Sequence, residues 1–353
     1  MKKIVLTGGG TAGHCTPNLA LLPSLREAGF EAVYIGSYDG IERELATGAG
    51  LPYYGISTGK LRRYFSWQNF TDPFRVAKGI REAKKLLSVL SPNVIFSKGG
   101  YVAFPVVKAS SALKIPVVSH ESDLTPGLAN RMSFRYSDRI CCSFPETLHM
   151  LPGNKAVLTG TPIRASLKSG NRERALSFVH MREGDYPFLL VMGGSQGAQR
   201  INEAIRQSLP ALLKRFNIIH LCGKGKVDPT LTHQPGYMQY DYIDKELPDL
   251  FCLADVVVSR AGANAIFELA ALKKPHVLIP LSTGRGDQKL NASSFETAGY
   301  SKVLLEEDLV GSNLADAIDD VFENRQKYIS AMEKTSSLDP AEKICKVIQR
   351  TAR

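Results

Sequence analysis

The sequence predicts an α/β protein made of two doubly wound parallel-sheet domains in tandem. Short apolar runs alternate with amphipathic segments of helical period, which is typical of parallel strands covered by helices on both faces. The pattern restarts in the second half, where the apolar run at 188–194 again leads into glycines. The length of 353 residues suits two domains, since a domain averages about 150 residues.

The first half of the chain contains five strand-like runs with helical patterns between them. Helical period is clear over 17–28 and 73–90. In the second of these segments one face is apolar, formed by Val76, Ile80, Ala83, Leu87 and Leu90. The predicted strands are KIVLT (3–7), EAVYIG (31–36), NVIFS (93–97), PVVSH (116–120) and RICCS (139–143).

The second half repeats this arrangement after residues 158–167, which have the Gly and Pro content of a hinge. We therefore expect one domain over 1–161 and another over 162–336. Helices are predicted over about 198–213 and 339–351, and the pattern of the last helix allows it to pack on either domain. The predicted strands are FLLVMGG (188–194), IIHLC (218–222), DVVVS (255–259), HVLIP (276–280) and KVLLE (302–306).

The composition is that of an ordinary globular protein, with 44% hydrophobic and 22% charged residues. No run reaches the ~18 apolar residues of a membrane span, and the N-terminal apolar run is far short of a signal-peptide core of ~7–15 residues. The sequence thus predicts a cytosolic chain. The six cysteines include no C-x-x-C pair, so we expect reduced thiols, no metal site and no cofactor.

The positive charge is concentrated in the first half. The net charge is +10 for the chain, of which residues 1–164 carry +9. It peaks over 60–85, where eight basic residues stand against Asp72 and Glu82. A basic face of this kind indicates nucleic acid, anionic lipid or a phosphorylated substrate as the partner.

A glycine loop, GGGTAG (8–13), follows the first predicted strand and opens a helix. Its free N–H groups and the helix dipole attract an anion such as phosphate. The spacing fits a dinucleotide, but the acidic residues that would hold a ribose diol, Asp39 and Glu42, come late. His14 follows the loop, and a helix N-terminus favours its neutral form. A general base is therefore predicted, with helix capping or packing as the alternative.

Two further glycine loops follow predicted strands, one in each half. Lys98-Gly99-Gly100-Tyr101 follows strand 93–97, and MGGSQGAQ (192–199) follows the first strand of the second half. Backbone amides of residues 194–197 form a cradle for a diphosphate, to which the Ser195 hydroxyl adds a donor. One such loop in each half indicates two phosphorylated substrates or two ends of one.

Two polar side chains in the second half are candidates for sugar binding. Glu268 lies on an apolar helix after strand 255–259, where a ribose diol would satisfy its carboxylate. The alternative is a carboxylate that reaches solvent or pairs with Lys273 or Lys274. Gln288 stands at another helix start and suits sugar hydroxyls. The alternative there is a helix cap, with Asp287 as the capping residue.

Polar residues also cluster behind strand 116–120. His120, Glu121 and Asp123 are candidates for acid, base or metal ligand. No histidine cluster of ligand spacing accompanies them, so the sequence predicts that no protein-bound metal is required.

The ordered motifs of the chain resemble those of the MurG family, bacterial UDP-N-acetylglucosamine–lipid I glycosyltransferases in their Firmicutes-like form. The matching motifs run almost the full length: GGGTAGH…P, KGGYV…P, HESD…PGLAN, TGTPIR, GGSQGA, SRAGA…E and RGDQ…NA. Each piece alone is common, but the combination in this order is highly specific.

The resemblance implies a GT-B fold, in which two Rossmann-like domains face a cleft and a final helix, 337–353, packs back on the first domain. The implied reaction moves GlcNAc from UDP-GlcNAc to the MurNAc 4-hydroxyl of lipid I, with inversion, to give lipid II in peptidoglycan synthesis. An alternative is another GT-B sugar-nucleotide enzyme, such as an epimerase or a glycolipid glycosyltransferase. Nucleic acid and NAD are not expected as partners.

The resemblance also implies roles for single residues. The donor UDP-GlcNAc is expected at the second domain and its rim, with Glu268 on the ribose, Ser195 and Arg164 on the diphosphate, Ile243 on uracil and Gln288 on GlcNAc. The full implied donor set is Thr11, Ala12, Gly13, Arg164, Gly194, Ser195, Gln196, Gly197, Ile243, Ala263, Asn264, Glu268 and Gln288. The implied set for the acceptor diphosphate is Gly9, Gly10, Gly99, Gly100 and Tyr101.

His14 is the leading candidate for the base under this resemblance. Some family members have Asn where this chain has Asp123, so Asp123 is the second candidate. The resemblance further implies a peripheral protein on the cytoplasmic face of the membrane, bound to its anionic leaflet, with cell-wall synthesis or division proteins as possible partners. The membrane residues are expected to be Leu61, Arg62, Arg63, Phe65 and Trp67.

Overall fold

The computed structural model describes residues 2–59, 68–184, 186–194, 197–334 and 339–353, with side chains described from residue 72 onward in the second range. The chain forms two compact units, residues 1–164 with 337–353, and residues 165–336. The chain thus passes from the first unit to the second after Arg164, three residues beyond the expected boundary at 161. Arg164 consequently ends the first unit rather than opening the second.

The first unit contains a seven-stranded parallel sheet in the order β3-β2-β1-β4-β5-β6-β7. All five predicted strands are present. The two that were not predicted are the edge strands, which have only three or four residues and therefore little periodicity to detect. The strands are β1 Lys2–Thr7, β2 Phe30–Ser37, β3 Tyr53–Ile56, β4 Val94–Ser97, β5 Val117–Glu121, β6 Arg139–Cys142 and β7 Ala156–Leu158.

Helices cover both faces of this sheet. The helix predicted over 17–28 is divided at Leu21, because Pro23 has no N–H to continue the first helix. The long α4 starts five residues earlier than predicted, and Ala83 and Leu87 of its predicted apolar face are fully buried. The helices are α1 Thr16–Ala20, α2 Leu22–Glu27, α3 Ile41–Gly48, α4 Gln68–Leu90, α5 Ala103–Leu113 and α6 Leu128–Phe134.

The second unit contains a six-stranded parallel sheet in the order β10-β9-β8-β11-β12-β13. Only the edge strand β10 was not predicted. The strands are β8 Phe188–Met192, β9 Asn217–Leu221, β10 Tyr237–Tyr240, β11 Val256–Ser259, β12 His276–Leu278 and β13 Lys302–Val303. The helices are α7 Arg172–Phe178, α8 Gln199–Leu212, α9 Leu247–Leu253, α10 Ala263–Ala271, α11 Asp287–Thr297, α12 Asn313–Glu323 and α13 Arg325–Glu333.

The C-terminal helix α14, Pro340–Thr351, belongs to the first unit. Its Ala341, Ile344, Cys345 and Ile348 are buried in the core that also contains β1 and β4. None of the helices in the described part of the chain has the length and apolar composition needed to cross a membrane.

Both sheets have the same strand order, with the first strand of each unit at the centre. The chain therefore reverses direction across the sheet between β1 and β4 in the first unit and between β8 and β11 in the second. In doubly wound sheets, ligands bind outside the carboxyl ends of the strands at this switch point. The glycine loops after β1, β4, β8 and β11 lie at these two places.

Candidate active site

In the first unit, three loops meet at the carboxyl edge of β1, β4 and β5. Thr7 pairs in register with Ser97, and Ser97 with Ser119, so neighbouring strands end at nearly the same level. The loops that follow are 8–14, 98–101 and 122–127. The described first-unit residues that are predicted to bind substrate or to act as the base, apart from Arg164, therefore share one edge of one sheet.

The loops after β1 and β4 pack against each other. A Cβ on Gly100 would lie 3.1 Å from His14 Cδ2, and one on Gly10 would overlap the Tyr101 ring. Gly100 has φ +80°, a value that other residues rarely adopt. His14 is half-buried at the end of a 3₁₀ turn, Ala12–His14. Its backbone N–H donates to the Thr11 carbonyl at 3.1 Å. The imidazole is thus held against the second glycine loop.

The Glu42 carboxylate supports the first glycine loop from beneath. It is fully buried, and it accepts hydrogen bonds from Gly10 N (3.1 Å) and Ser37 N (3.0 Å). A Cβ on Gly9 would lie 2.5 Å from Glu42 Cδ. Because both carboxylate oxygens bind the protein's own amides, Glu42 is not placed to hold a ribose diol. This role depends on contacts with residues distant from Glu42 in sequence, which no spacing in the sequence indicates.

Glu121 has a similar internal role. Its Oε1 accepts from Ser122 N (2.9 Å) and Asp123 N (3.1 Å), and its Oε2 from Gly127 N (3.0 Å) and Asn130 Nδ2 (2.8 Å). Burial, and then the Asp123 charge, raises the pKa of Glu121. Four donors nevertheless match the four lone-pair directions of an ionised carboxylate. Glu121, one of the three candidates for acid, base or metal ligand, thus shapes the loop that carries Asp123.

His120 is also removed from the candidates for acid, base or metal ligand. It lies fully buried within β5, and its Nε2 donates to the Gly160 carbonyl at 2.9 Å. Burial, reinforced by the Lys98 charge, holds the pKa of His120 well below its ordinary value. The ring is therefore neutral and below the loop surface. Asp123, which is half-buried, is the only carboxylate of this motif left beside the loops.

Lys98 is a buried charge that the sequence did not single out. It is 1% exposed, and its ammonium contacts Ser122 Oγ. Burial lowers the pKa of Lys98 to about 8, while the charges of Glu121 and Asp123 oppose that shift. Lys98 therefore joins the loop after β4 to the loop after β5.

In the second unit, the loop after β8 leaves space beside Gly194. Gly197 N donates to Gly194 O at 2.8 Å, closing a turn in which Gly194 has φ +84°. No atom of the described residues lies within 4 Å of a Cβ built on Gly194. Ser195 and Gln196, which complete the predicted cradle, lie outside the described residues.

The loop after β11 leads into α10, which carries Glu268. Gly262 caps this helix and, like Gly194, has open space among the described atoms where a Cβ would be. Ala263 is buried and Asn264 half-buried behind it. Lys273 pairs with Glu333 (2.8 Å), and Lys274 donates to Ala254 O (2.9 Å). Both lysines thus have partners other than Glu268.

Gln288 lies in the first turn of α11. Its Oε1 accepts from Leu281 N at 3.0 Å, which fixes the side chain and directs the amide nitrogen as a donor. Gly286 is the capping residue, and Asp287 pairs instead with Arg285 at 2.6 Å. The expectation of an Asp287 cap was wrong.

A buried ion pair links the loop after β11 to the segment that precedes Gln288. Arg260 and Glu306 lie 2.5 Å apart, with side chains only 11% and 7% exposed. Glu306 also accepts from Ser282 N at 3.1 Å. Burial raises the pKa of Glu306, but the bonds from Ser282 and Arg260 outweigh it and hold the pKa below its ordinary value. These residues line a cavity of about 470 Å³ beside Gly197.

The remaining predicted residues lie apart from these loops or outside the described residues. Ile243 follows β10 and its side chain is 7% exposed, so a ligand would meet its backbone. Arg164 is half-buried. Among the described residues, no group of three His, Cys, Asp or Glu is placed to hold a metal ion. The membrane candidates Leu61, Arg62, Arg63, Phe65 and Trp67 lie outside the described residues.

Comparison with known proteins places both halves of the chain in one family. Residues 4–142 match the glycosyltransferase family 28 N-terminal domain, and residues 188–348 match the glycosyltransferase family 28 C-terminal domain.

Curated relatives match over the full length. The UDP-N-acetylglucosamine–N-acetylmuramyl-(pentapeptide) pyrophosphoryl-undecaprenol N-acetylglucosamine transferase of Lachnoclostridium phytofermentans is 58% identical over 99% of both chains. The protein of the same name from Lachnospira eligens is 55% identical over 100% of both. The crystal structure of Acinetobacter baumannii MurG is similar in fold, with a TM-score of 0.76 and 24% identity over 99% of this chain and 100% of that one.

Proposed function

The chain belongs to glycosyltransferase family 28, and from this we propose that it transfers GlcNAc from UDP-GlcNAc to lipid I, giving lipid II. The observation that carries the proposal is the full-length similarity, 58% identity over 99% of the chain, to a transferase of that name. The fold supports it, because each unit presents glycine loops at its own switch point. Two such places suit a reaction between two phosphorylated substrates.

We propose that the second unit binds the donor. The diphosphate would bind amides of residues 194–197 and the Ser195 hydroxyl. The free space beside Gly194 supports this, since it lets a ligand approach the backbone. Glu268 would accept from the ribose hydroxyls, and the Gln288 amide would donate to GlcNAc. Thr11, Ala12, Gly13 and Arg164 would complete donor binding from the first unit, and the Ile243 backbone would contact uracil.

We propose that the first unit binds the acceptor. Gly9, Gly10, Gly99, Gly100 and Tyr101 would take the lipid diphosphate. His14 would remove the proton from the MurNAc 4-hydroxyl as that oxygen bonds to the anomeric carbon and the bond to UDP breaks. A single displacement of this kind inverts the configuration, and donors at the UDP diphosphate stabilise the leaving charge.

We also propose that the first unit contacts an anionic membrane surface from the cytoplasmic side. The basic and aromatic residues of 60–70 support this, as does Phe74, which is 79% exposed near the start of α4. Basic residues near such a surface contribute about 1 kcal/mol each. Cell-wall synthesis and division proteins are the partners that this location would favour.

The test is transfer of labelled GlcNAc from UDP-GlcNAc to a lipid I analogue in detergent, with and without EDTA. We expect labelled lipid II in both conditions, since no protein-bound metal is required in this proposal. Transfer that stops with EDTA and returns with a divalent ion would overturn the metal-free part. UDP-GlcNAc binding without transfer would overturn the acceptor, and product analysis would then identify an epimerase or a different glycolipid acceptor.

Two variants separate the candidate bases. We expect His14→Ala to lower kcat at least 100-fold with little change in the KM for UDP-GlcNAc, as removal of a general base costs about 10²–10⁴-fold. Asp123→Asn should lower kcat less, because the amide keeps a hydrogen-bonding group there. The reverse order would assign the base to Asp123.

A further inference from the structure

A cavity beside the proposed acceptor loops has no role in the function derived so far. It has a volume of about 460 Å³ and lies at the carboxyl edge of β2 and β3. Its walls come from residues 37–40, 56–58, Arg75 and Lys78 of α4, and Tyr101. Tyr101 also packs on Gly10, so this residue lies between the cavity and the first glycine loop.

Helix α4, which carries Arg75 and Lys78, is held against the end of β3. Glu82 of α4 accepts from Ser57 N at 2.6 Å, just after β3. Gly79 faces Ser57 O so closely that a Cβ there would overlap the carbonyl. These two contacts hold α4 against the end of β3. Arg75 and Lys78 are three residues apart, and residues at that spacing share one face of a helix about 5–6 Å apart.

The cavity suits an anion with hydrogen-bonding groups. Arg75 and Lys78 carry two positive charges against one negative charge from Asp39, and the hydroxyls of Tyr38 and Thr58 add polar groups. Among the described residues, Lys78 pairs with Glu82 at 3.7 Å, and because the Lys78 side chain is 69% exposed this pair is weak.

We propose that this cavity binds the carboxylate-bearing peptide of the acceptor. The inference rests on the proposed function, because the relatives' name places a pentapeptide on the same muramyl sugar that receives GlcNAc. The β2–β3 edge lies about two strand spacings, ~10 Å, from the β1–β4 switch point. Five extended residues reach up to ~17 Å, so the peptide spans this distance. We do not assign the acceptor diphosphate to this cavity, because its proposed partners are the glycine amides.

The test compares two soluble acceptors with short lipid tails in detergent. One carries the peptide with free carboxylates, and the other has those carboxyl groups converted to amides. For the unaltered enzyme we expect the amide acceptor to have a KM about tenfold higher, equivalent to about 1.4 kcal/mol. The double variant Arg75→Gln/Lys78→Gln should raise the KM of the carboxylate acceptor about tenfold and abolish the difference between the two.

A matched control removes the same charge from the same helix outside the cavity. Lys84→Gln/Lys85→Gln should leave the KM of both acceptors unchanged, since both residues are exposed on α4 and do not line the cavity. Equal rises in KM for both acceptors with Arg75→Gln/Lys78→Gln would overturn the proposal in favour of the diphosphate. A rise in KM that appears only when anionic vesicles replace the detergent would overturn the proposal in favour of the membrane surface. Failure of the unaltered enzyme to use either acceptor would instead refute the proposed function.

Discussion

The glycine loops of the two units lie at equivalent places in the same topology but differ in what surrounds them. In the first unit, a Cβ on Gly9, Gly10 or Gly100 would collide with the protein's own groups, namely Glu42, Tyr101 and the backbone of the neighbouring loop. In the second unit, a Cβ on Gly194 or Gly262 would meet no described atom within 4 Å, whereas one on Gly193 or Gly197 would overlap Ala198 or Cys222.

The difference shows that one sequence signal has two physical meanings. In the first unit, glycine makes room for side chains that shape the site, and the loops are closed on themselves. At Gly194 and Gly262 of the second unit, the described atoms leave the space beside the glycine free, as a ligand-binding loop requires. Substitutions at the first-unit glycines should therefore cost stability, and those at Gly194 and Gly262 should cost binding.

The largest effect is expected for Gly100→Ala. An added Cβ would overlap the Gly9 carbonyl and press on His14, at a φ of +80°. Strain and overpacking of this kind cost about 1–3 kcal/mol each. We expect the free energy of unfolding to fall by about 2–5 kcal/mol in a denaturant titration, and kcat to fall with it. A stable variant with normal kcat would contradict the description of this loop as closed.

Lys98 gives a second effect on stability, seen as a dependence on pH. The folded chain releases the Lys98 proton near pH 8, whereas an unfolded chain keeps it to about pH 10.4. Between these values the unfolded state binds more protons, so the free energy of unfolding rises with pH. Relative to Lys98→Met, the unaltered protein should gain about 1–2 kcal/mol between pH 8 and pH 9.5. The exposed Lys84→Met serves as control and should show no such trend.

Glu42→Gln tests the support of the first glycine loop by replacing one carboxylate oxygen with an NH₂ group. The amide has the shape of the carboxylate, but its NH₂ group would face one of the two amides that Glu42 now accepts from. One unsatisfied buried donor costs about 1–3 kcal/mol. We expect that loss in unfolding experiments and a roughly tenfold fall in kcat at unchanged KM for UDP-GlcNAc. Glu44→Gln, exposed on the same helix, should change neither.

Gly262→Ala should have the smallest effect on stability and the clearest effect on binding. Its φ of −68° is open to alanine, and described atoms leave space for the Cβ. The free energy of unfolding should stay within about 0.5 kcal/mol, while the dissociation constant for UDP measured by calorimetry rises about tenfold. Glu268→Ala should weaken the same binding. Unchanged affinity in both variants would remove the donor from this loop.

A feature of the site could be predicted from sequence only where the residues that define it lie close together in the sequence. The glycine loops and His14 could be placed from sequence because each follows a strand whose apolar run is evident. Glu42, Lys98 and the Arg260–Glu306 pair could not, because their partners are distant in sequence and no spacing connects them. The break before Pro23 was detectable from the proline itself, whereas short edge strands such as Ala156–Leu158 carry almost no pattern.

The return of α14 to the first unit has a consequence for synthesis of the protein. Residues 165–336 form one uninterrupted stretch, so this unit can complete its core while later residues are still being added. The other core waits for Ile344 and Ile348, which fill it from helix Pro340–Thr351. The N-terminal unit, although made first, is thus the last to finish folding. Its incomplete apolar core is the surface that a chaperone would have to protect during translation.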